Sequence, residues 1–461
     1  MAVVPKSVNL TKSTAGILNA IRYGIGGEYY AGVPEAKDTT ASIRAVGEAI
    51  LAYQSRQNAF VDALVNRIAF EVIKSKQYEN PWAMFKRGYL EYGETIEEIF
   101  VNLCKVRGFN PQASPSRVFQ RNTPSVSSAF HSMNVQAEYP TTISEEQLRQ
   151  AFLSLNGVTT LIAGIVTSMY TAMNYDEFNL MKYLIARLAL DGKIPVDTID
   201  APSASTSSGI VTKIKTLANN FEFMSDEYNI AGVKNFVPKA DQYVLEQTDL
   251  NAIIDVNVLA TSFNMEKAEF MGHVVTFDSF GNIDTDRLAQ ILENDTSFVP
   301  FTATELGYLS KIRAIVCAKD FFMIYDNLQK MTENYNGDGL AWNYFLHKWQ
   351  TLSASPFENI TLLTDQSSAV STLAIDQSNL TISVAGSTRF TATVTTTGFA
   401  SKEVEWSLTA GTGTLNDYIS VDQYGIVTVK TGATDGTYTL KATSLVDSTK
   451  YDTITVTVDL T

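Results

Sequence analysis

The chain has 461 residues, enough for roughly two to four domains, and its 45% hydrophobic and 18% charged content is that of a globular protein with large cores. A formal net charge of −14 excludes a protein that coats nucleic acid with clustered Lys and Arg, but leaves open a shell whose inner wall is near neutral. Cys104 and Cys317 have no metal-ligand or redox spacing and read as buried free thiols of a reducing compartment.

Residues 1–7 contain no apolar h-region, so no secretory signal is expected. Residues 1–42 are Gly- and polar-rich with one apolar patch, Ile17 to Ile21, and read as an extended or partly ordered N-terminal arm. Within it, Gly24-Ile25-Gly26-Gly27 lacks the Lys-Ser or Lys-Thr of a phosphate loop and reads as a bend. Ile43, Val46, Ile50, Tyr53, Phe60 and Leu64 then recur at helical spacing, with Arg44, Glu48, Arg56 and Asp62 on the polar face. Asn80-Pro81 breaks this pattern. From Trp82 to Leu103 aromatics mix with charges between Gly88 and Gly93, which predicts a long two-stranded excursion. Glu94, Glu97 and Glu98 could pair as catalytic carboxylates. Without a cleft, a solvated acidic edge or an inter-subunit salt bridge that helps set register fits them better. Residues 108–142 hold four of the twelve prolines and read mostly as loop.

Ser144 followed by Glu145, Glu146 and Gln147 approximates a capping box and opens a helical zone to about Leu190, interrupted near Gly157 and Asn174. Ala151 to Met173 is free of charge and long enough to span a bilayer. It lacks flanking Lys/Arg asymmetry and an aromatic belt, so a helix buried in a large soluble assembly is the better reading. Asp191 to Pro195 is a stop signal, and residues 201–209 form a Ser-rich loop. Mixed helix and strand follow to about Asn359, with strand-like runs at Val274–Phe277 and Ala314–Cys317. Asn282, Asp284, Asp286 and Glu293 imitate a calcium loop, but Arg287 stands where the sharp turn needs Gly, so a polar turn entering a helix is favoured. His131, His273 and His347 are far apart with no catalytic motif beside them, and no metal or cofactor site is suggested. Phe321 to Trp349 is the aromatic centre of the chain. It holds Tyr335, Trp342, Tyr344 and Trp349 around the strong turn Asn336-Gly337-Asp338-Gly339, and reads as domain core that also supplies a subunit interface. Trp82 joins these as an interface candidate.

Composition changes after the linker Asp365 to Ser368. Residues 366–461 contain 22 threonines and no His, Cys, Met or Pro, and apolar residues alternate with polar ones in short runs broken by Gly, Asn and Asp. That is the pattern of a small β-sandwich, with Phe390, Val394, Trp406, Val427 and Tyr438 as its expected core. By itself this sandwich suits an adhesin, an anchor on a wall hydrolase or a cementing module.

Phe322 to Met331, Leu340 to Tyr344 and Trp349 to Ser353 resemble the major capsid proteins of small podoviruses related to phage phi 29. Thr95 to Phe100, and Leu259-Ala260 with Phe263 to Met265, fit the same family in the same order. Thr388 to Ala392, Val404 to Ser407 and Val421 to Val429 resemble the bacterial immunoglobulin-like group-2 domain. The resemblance implies an α+β Hong Kong 97-type capsid fold over 43–365. Its parts would be an E-loop at about 75–110, a spine helix region at about 144–190, an axial domain at about 200–320 and a peripheral-domain return at about 321–360. It further implies a non-enzymatic head protein that forms pentamers and hexamers in the host cytoplasm. Its expected partners are a scaffolding protein and the portal, it encloses double-stranded DNA without sequence-specific binding, and no membrane, cofactor or cross-link is expected. The alternative is host-surface binding, to glycan or protein, through the terminal domain.

Overall fold

The computed structural model describes residues 14–60, 63, 78–91, 95–108, 121–153, 157–257, 273–295 and 298–460. Two sheets organise the chain up to Thr364. The first has the order β1-β9-β10-β4, with β1 (Lys86–Tyr89), β4 (Val135–Ser144), β9 (Phe322–Asn336) and β10 (Ala341–Ala354). β9 and β10 are one long hairpin because the turn chemistry is local. The Asn336 side-chain oxygen accepts from the amides of Asp338 (3.1 Å) and Gly339 (3.2 Å), and Leu340 takes the left-handed conformation. Strand alternation then puts Trp342, Tyr344 and Leu346 on one face, against the helices Thr14–Ile25 and Thr40–Leu51.

The second sheet has the order β5-β11-β8-β6-β7, with β5 (Val196–Thr198), β6 (Gln242–Gln247), β7 (Val274–Phe277), β8 (Ile312–Ala318) and β11 (Ile360–Thr364). Its central strands are apolar on both faces because both are covered. Ile315 and Cys317 enter one core cluster, while Ala314 and Val316 enter another beneath the helix Ser207–Asn220. The long helix Gly157–Leu190 joins the two sheets. Met169 and Met173 belong to the core of the first, and Phe178, Met181 and Ile185 to the core shared with the second. A helix that passes from one core into another has no single apolar stripe, which accounts for its uncharged, unpatterned first half. Among the described residues no helix is long and apolar enough to cross a membrane.

Among the described residues, β2 (Ile96–Val101) and β3 (Val126–His131) pair only with each other. The terminal region is a small sandwich. β12 (Ala369–Ile375) pairs β15 (Ala392–Thr397). β13 (Leu380–Ile382), β20 (Tyr451–Val458), β19 (Gly436–Ser444) and β16 (Val404–Ala410) form a four-stranded sheet. β14 (Gly386–Arg389), β18 (Ile426–Val429) and β17 (Ile419–Val421) form a three-stranded one. Phe390, Val427 and Tyr438 share its core, Trp406 is half-buried at the rim, and Val394 lies in a small adjoining cluster with Val370 and Ala400.

Four expectations are corrected. The segment 14–42 is not an extended arm: Thr14–Ile25 and Gly27–Gly32 are helical, and Ile17, Leu18, Ile21 and Tyr29 are buried beneath the first sheet. The helix expected from Ile43 onward breaks at Ala52 and resumes at 54, so Tyr53 is exposed while Ile50 and Phe60 are buried; Asp62 and Leu64 lie outside the described residues. Much of 126–144, read as loop, is strand. Pro140 is tolerated because β4 is an edge strand, where a missing N–H breaks no ladder. Cys317 is buried but Cys104 is exposed.

Candidate functional site

The segment Trp82 to Leu103 is not itself two-stranded, because β1 joins the first sheet and β2 pairs with β3 beyond it; the β2–β3 excursion has two unlike faces. Antiparallel partners share a face, so Ile96/His131, Glu98/Ala129 and Phe100/Ser127 point one way, and Glu97/Phe130, Ile99/Ser128 and Val101/Val126 the other. The first face rests on the subunit. Phe100 stacks on Phe357 with ring centroids 5.5 Å apart. Ser355 Oγ donates to Glu98 at 2.7 Å, Glu98 lies 3.2 Å from His131 Nε2, and His131 Nδ1 is 2.8 Å from Ser353 Oγ. The second face is exposed among the described residues. Ile99 is 59% exposed, Val101 60% and Phe130 68%, with Val126, Leu103 and Val106 continuing the apolar surface. Glu97 is exposed at its end, and Glu94 lies outside the described residues.

A network of charges fixes where the excursion leaves the body. Lys86, at the start of β1, bridges Glu177 of the long helix (2.9 Å) and Asp326 of β9 (2.8 Å). Lys348 of β10 meets Asp326 at 2.6 Å, and Gln350 donates to both Glu177 (2.7 Å) and Asp326 (2.8 Å). Asn80 donates to Glu177 at 2.7 Å just before the chain turns outward. Burial opposes ionisation of Asp326, but the ammonium groups of Lys348 and Lys86 outweigh it and hold the carboxyl below its usual range. At the other end of the anchor, burial beside Asp320 and Glu98 pushes Glu358 up to about 7. The arrangement satisfies buried charges with partners from four elements, which fixes geometry more than it adds stability.

The aromatic interface candidates divide. Trp82, Trp342 and Tyr344 are buried inside the subunit, Trp82 against Phe178, so they are core and not available surface. Tyr335 packs on Trp342 (5.0 Å) and, like Trp349, is half-buried on the hairpin. The feature that sequence reasoning missed is the apolar outer face of the excursion. Ile99-Phe100-Val101 is a continuous apolar run with no polar alternation, and only strand pairing shows that Ile99, Val101, Val126 and Phe130 share the outward side while Phe100 turns in. The three histidines lie in separate places: His273 beside the Gln242 carbonyl, His347 beside Thr332, and His131 in the anchor. The calcium-like loop is otherwise engaged. Asp284 caps the helix Thr285–Ile291 and accepts from Tyr175, and Arg287 forms a bidentate pair with Asp176. Among the described residues no cluster of His, Cys, Asp and Glu could hold a metal.

Comparison with known proteins gives one answer. Residues 18–364 match the model of the Phi29-like phage major capsid protein family. The chain is 33% identical over 447 residues to the major capsid protein of Bacillus phage B103, covering 95% of this chain and 92% of that protein. It is 31% identical to that of Bacillus phage PZA with the same coverage. Among solved structures it is similar to the capsid structure of Staphylococcus phage Andhra at 16% identity and a TM-score of 0.50, over 64% of this chain and 86% of that one. A structure of the head fiber and inner core protein gp22 of native bacteriophage P68 matches with the same score and coverage at 15% identity. The structural likeness is one of fold, the Hong Kong 97-type capsid fold.

Proposed function

Because the chain belongs to the Phi29-like phage major capsid protein family and is a structural component of a phage head, we propose that it closes an icosahedral shell of pentamers and hexamers around packaged double-stranded DNA. The observation that carries this reading is the excursion. A two-stranded sheet pinned on one face and exposing Ile99, Val101, Val126 and Phe130 on the other is incomplete until a neighbouring copy covers it. In that reading β2 and β3 are the E-loop and the helix Gly157–Leu190 is the spine. The first sheet is then peripheral and the second axial, and the terminal sandwich is a bacterial immunoglobulin-like group-2 domain.

The net charge of −14 gives the wall no means of condensing DNA. Genome entry therefore needs a motor acting through a portal, and curvature needs a scaffolding protein. The chain's own chemistry is association, with no catalytic step assigned to it. Co-expression with the scaffolding protein of its phage, followed by sedimentation and negative-stain microscopy, tests the proposal. Closed shells are expected; a persistent monomer that forms neither shells nor capsomers would refute it.

A second reading concerns the sandwich. Thr437, Thr439, Thr443, Thr453, Thr455 and Thr457 share the outer face of the β19–β20 pair, with Lys441 and Tyr451 among them. Hydroxyls in such an array can hydrogen-bond a glycan, which supports host-surface binding by the assembled particle. Adsorption of particles carrying Ala at these positions would separate this reading from cementing.

A further inference from the structure

The composition break at residue 366 is not a structural boundary. Arg313 Nε and Nη2 each donate to the Asp365 carboxylate at 3.1 Å, and Gln366 is buried. Beyond it, the loop 398–403 between β15 and β16 turns back into the capsid fold. Phe399 is 2% exposed and sits in the same core cluster as Ala189, Leu190 and Ile194, whereas its neighbour Ala400 is buried with Val370 and Val394 of the sandwich. The Phe399 amide donates to Ser368 Oγ at 2.9 Å, which ties the loop to the first residues of the sandwich.

Two glycines make this approach possible. Gly192, just past the end of the long helix, is in the left-handed region, and a Cβ there would stand 2.5 Å from the Ala400 carbonyl oxygen. Gly398 is also left-handed, and its Cβ would lie 2.6 Å from the Ser367 oxygen. Two ion pairs cross the junction: Lys193 with Glu403 at 3.1 Å, and Lys402 with Asp191 at 3.4 Å.

We propose that residues 398–403 are a docking hook whose receptor is the turn Asp191–Ile194, so that sandwich and capsid fold form one cooperative unit and the sandwich holds the C-terminal end of the long helix. The apolar side chain supplies burial, the paired charges supply register, and the glycines supply clearance. Removing residues 366–461 would therefore strip Phe399 from the core of the subunit itself, and a shell defect after that deletion would say nothing about contacts between neighbours. The hook also makes the sandwich a fixed projection: whatever it touches outside the shell acts on the end of the long helix.

The test uses the full-length, unassembled subunit, so its outcome is independent of whether shells form. Thermal unfolding and limited proteolysis across 365–369 are measured for wild type, Phe399→Ala, Lys193→Glu, Glu403→Lys and the double exchange. The wild type should unfold in one transition. Phe399→Ala should lower it by about 5 °C and separate a sandwich transition from the rest. Each single charge reversal should speed cleavage at least about twofold and the exchange should restore the wild-type rate, since only a direct pair gives that pattern. The proposal is overturned if Phe399→Ala keeps one transition within about 1 °C of wild type. Should that variant fail to fold, the charge set decides alone: equal cleavage in the single reversals and the double exchange overturns the hook.

Discussion

The excursion is antiparallel and the terminal sandwich largely so, with β13 parallel to β20; both project from the capsid fold and both present one face outward, yet those faces are opposites. The excursion shows Ile99, Val101, Val126 and Phe130 to solvent, and the sandwich shows threonines. An isolated two-stranded sheet is marginal by itself, and here its inward face is given to the anchor at Glu98, His131 and Phe357. The outward apolar residues are exposed in the subunit, and in the proposed reading a neighbouring copy covers them. The sandwich buries Phe390, Val427, Tyr438 and Leu440 in its own core and carries threonines on the outer face of its β19–β20 pair, although Val384, Leu445 and Val446 are exposed at its loops. In the proposed reading the first surface meets a neighbouring copy, whereas the second is rich in hydroxyls.

The largest expected effect comes from giving the excursion the polarity of the sandwich. Ile99→Lys with Phe130→Glu should leave the thermal stability of the subunit within about 1 kcal/mol, because both side chains are already in water. The same change should abolish shells, since it buries charge at every contact between copies. Sedimentation and calorimetry on the same preparation check both halves, and normal shells would remove the contrast. Next is the charge network at the root. Asp326→Ala leaves Lys348 buried without its carboxylate and Lys86 with Glu177 alone, and should cost about 3 kcal/mol of subunit stability, read by denaturant unfolding.

The carboxylates of the two regions differ as their faces do. In the sandwich, Asp376 is exposed and Asp447 half-exposed, and the hydroxyls of Thr393 and Thr449 hold them below their usual range. At the anchor, Glu358 is raised to about 7. A folded pKa above the unfolded value of 4.5 means that the folded state favours the proton. Its contribution is complete below the unfolded value, falls as pH rises from about 4.5 to 7, and is lost above that. Glu358→Gln should therefore be neutral at pH 4 and stabilise at pH 8 by roughly 2–3 kcal/mol. Equal effects at both values would show that Glu358 titrates normally.

Legibility followed the range of the interactions. The β9–β10 hairpin could be read because Asn336 to Gly339 and the alternating aromatics are local signals, and the capping box at Ser144 likewise. The sandwich was visible as a change in composition. The helix Thr14–Ile25 was not, because its short apolar patch becomes a face only beneath Trp342 and Tyr344, more than 300 residues away. The strain on Glu358 needs Asp320 and Glu98 brought together, and the hook rests on a single Phe after a Gly in a threonine-rich run. The apolar excursion face was not legible: Ile99-Phe100-Val101 is a continuous apolar run, and which of its residues faced water depended on where Phe100 and Glu98 found partners.

The smallest effect belongs to the hydroxyl face. Thr439→Ala, Thr455→Ala and Thr457→Ala together replace exposed or half-exposed strand residues whose side chains face away from the sandwich core. Each should cost no more than about 0.5 kcal/mol, through lower β-propensity rather than lost packing, and shell yield should not change. If yield does fall while subunit stability holds, the threonines touch a neighbouring subunit and the outward surfaces of both regions are assembly surfaces. If yield holds and adsorption to cells falls, the face meets the host. Because Phe399 stays seated in these variants, either result reports on the outer face alone and not on the capsid fold beneath it.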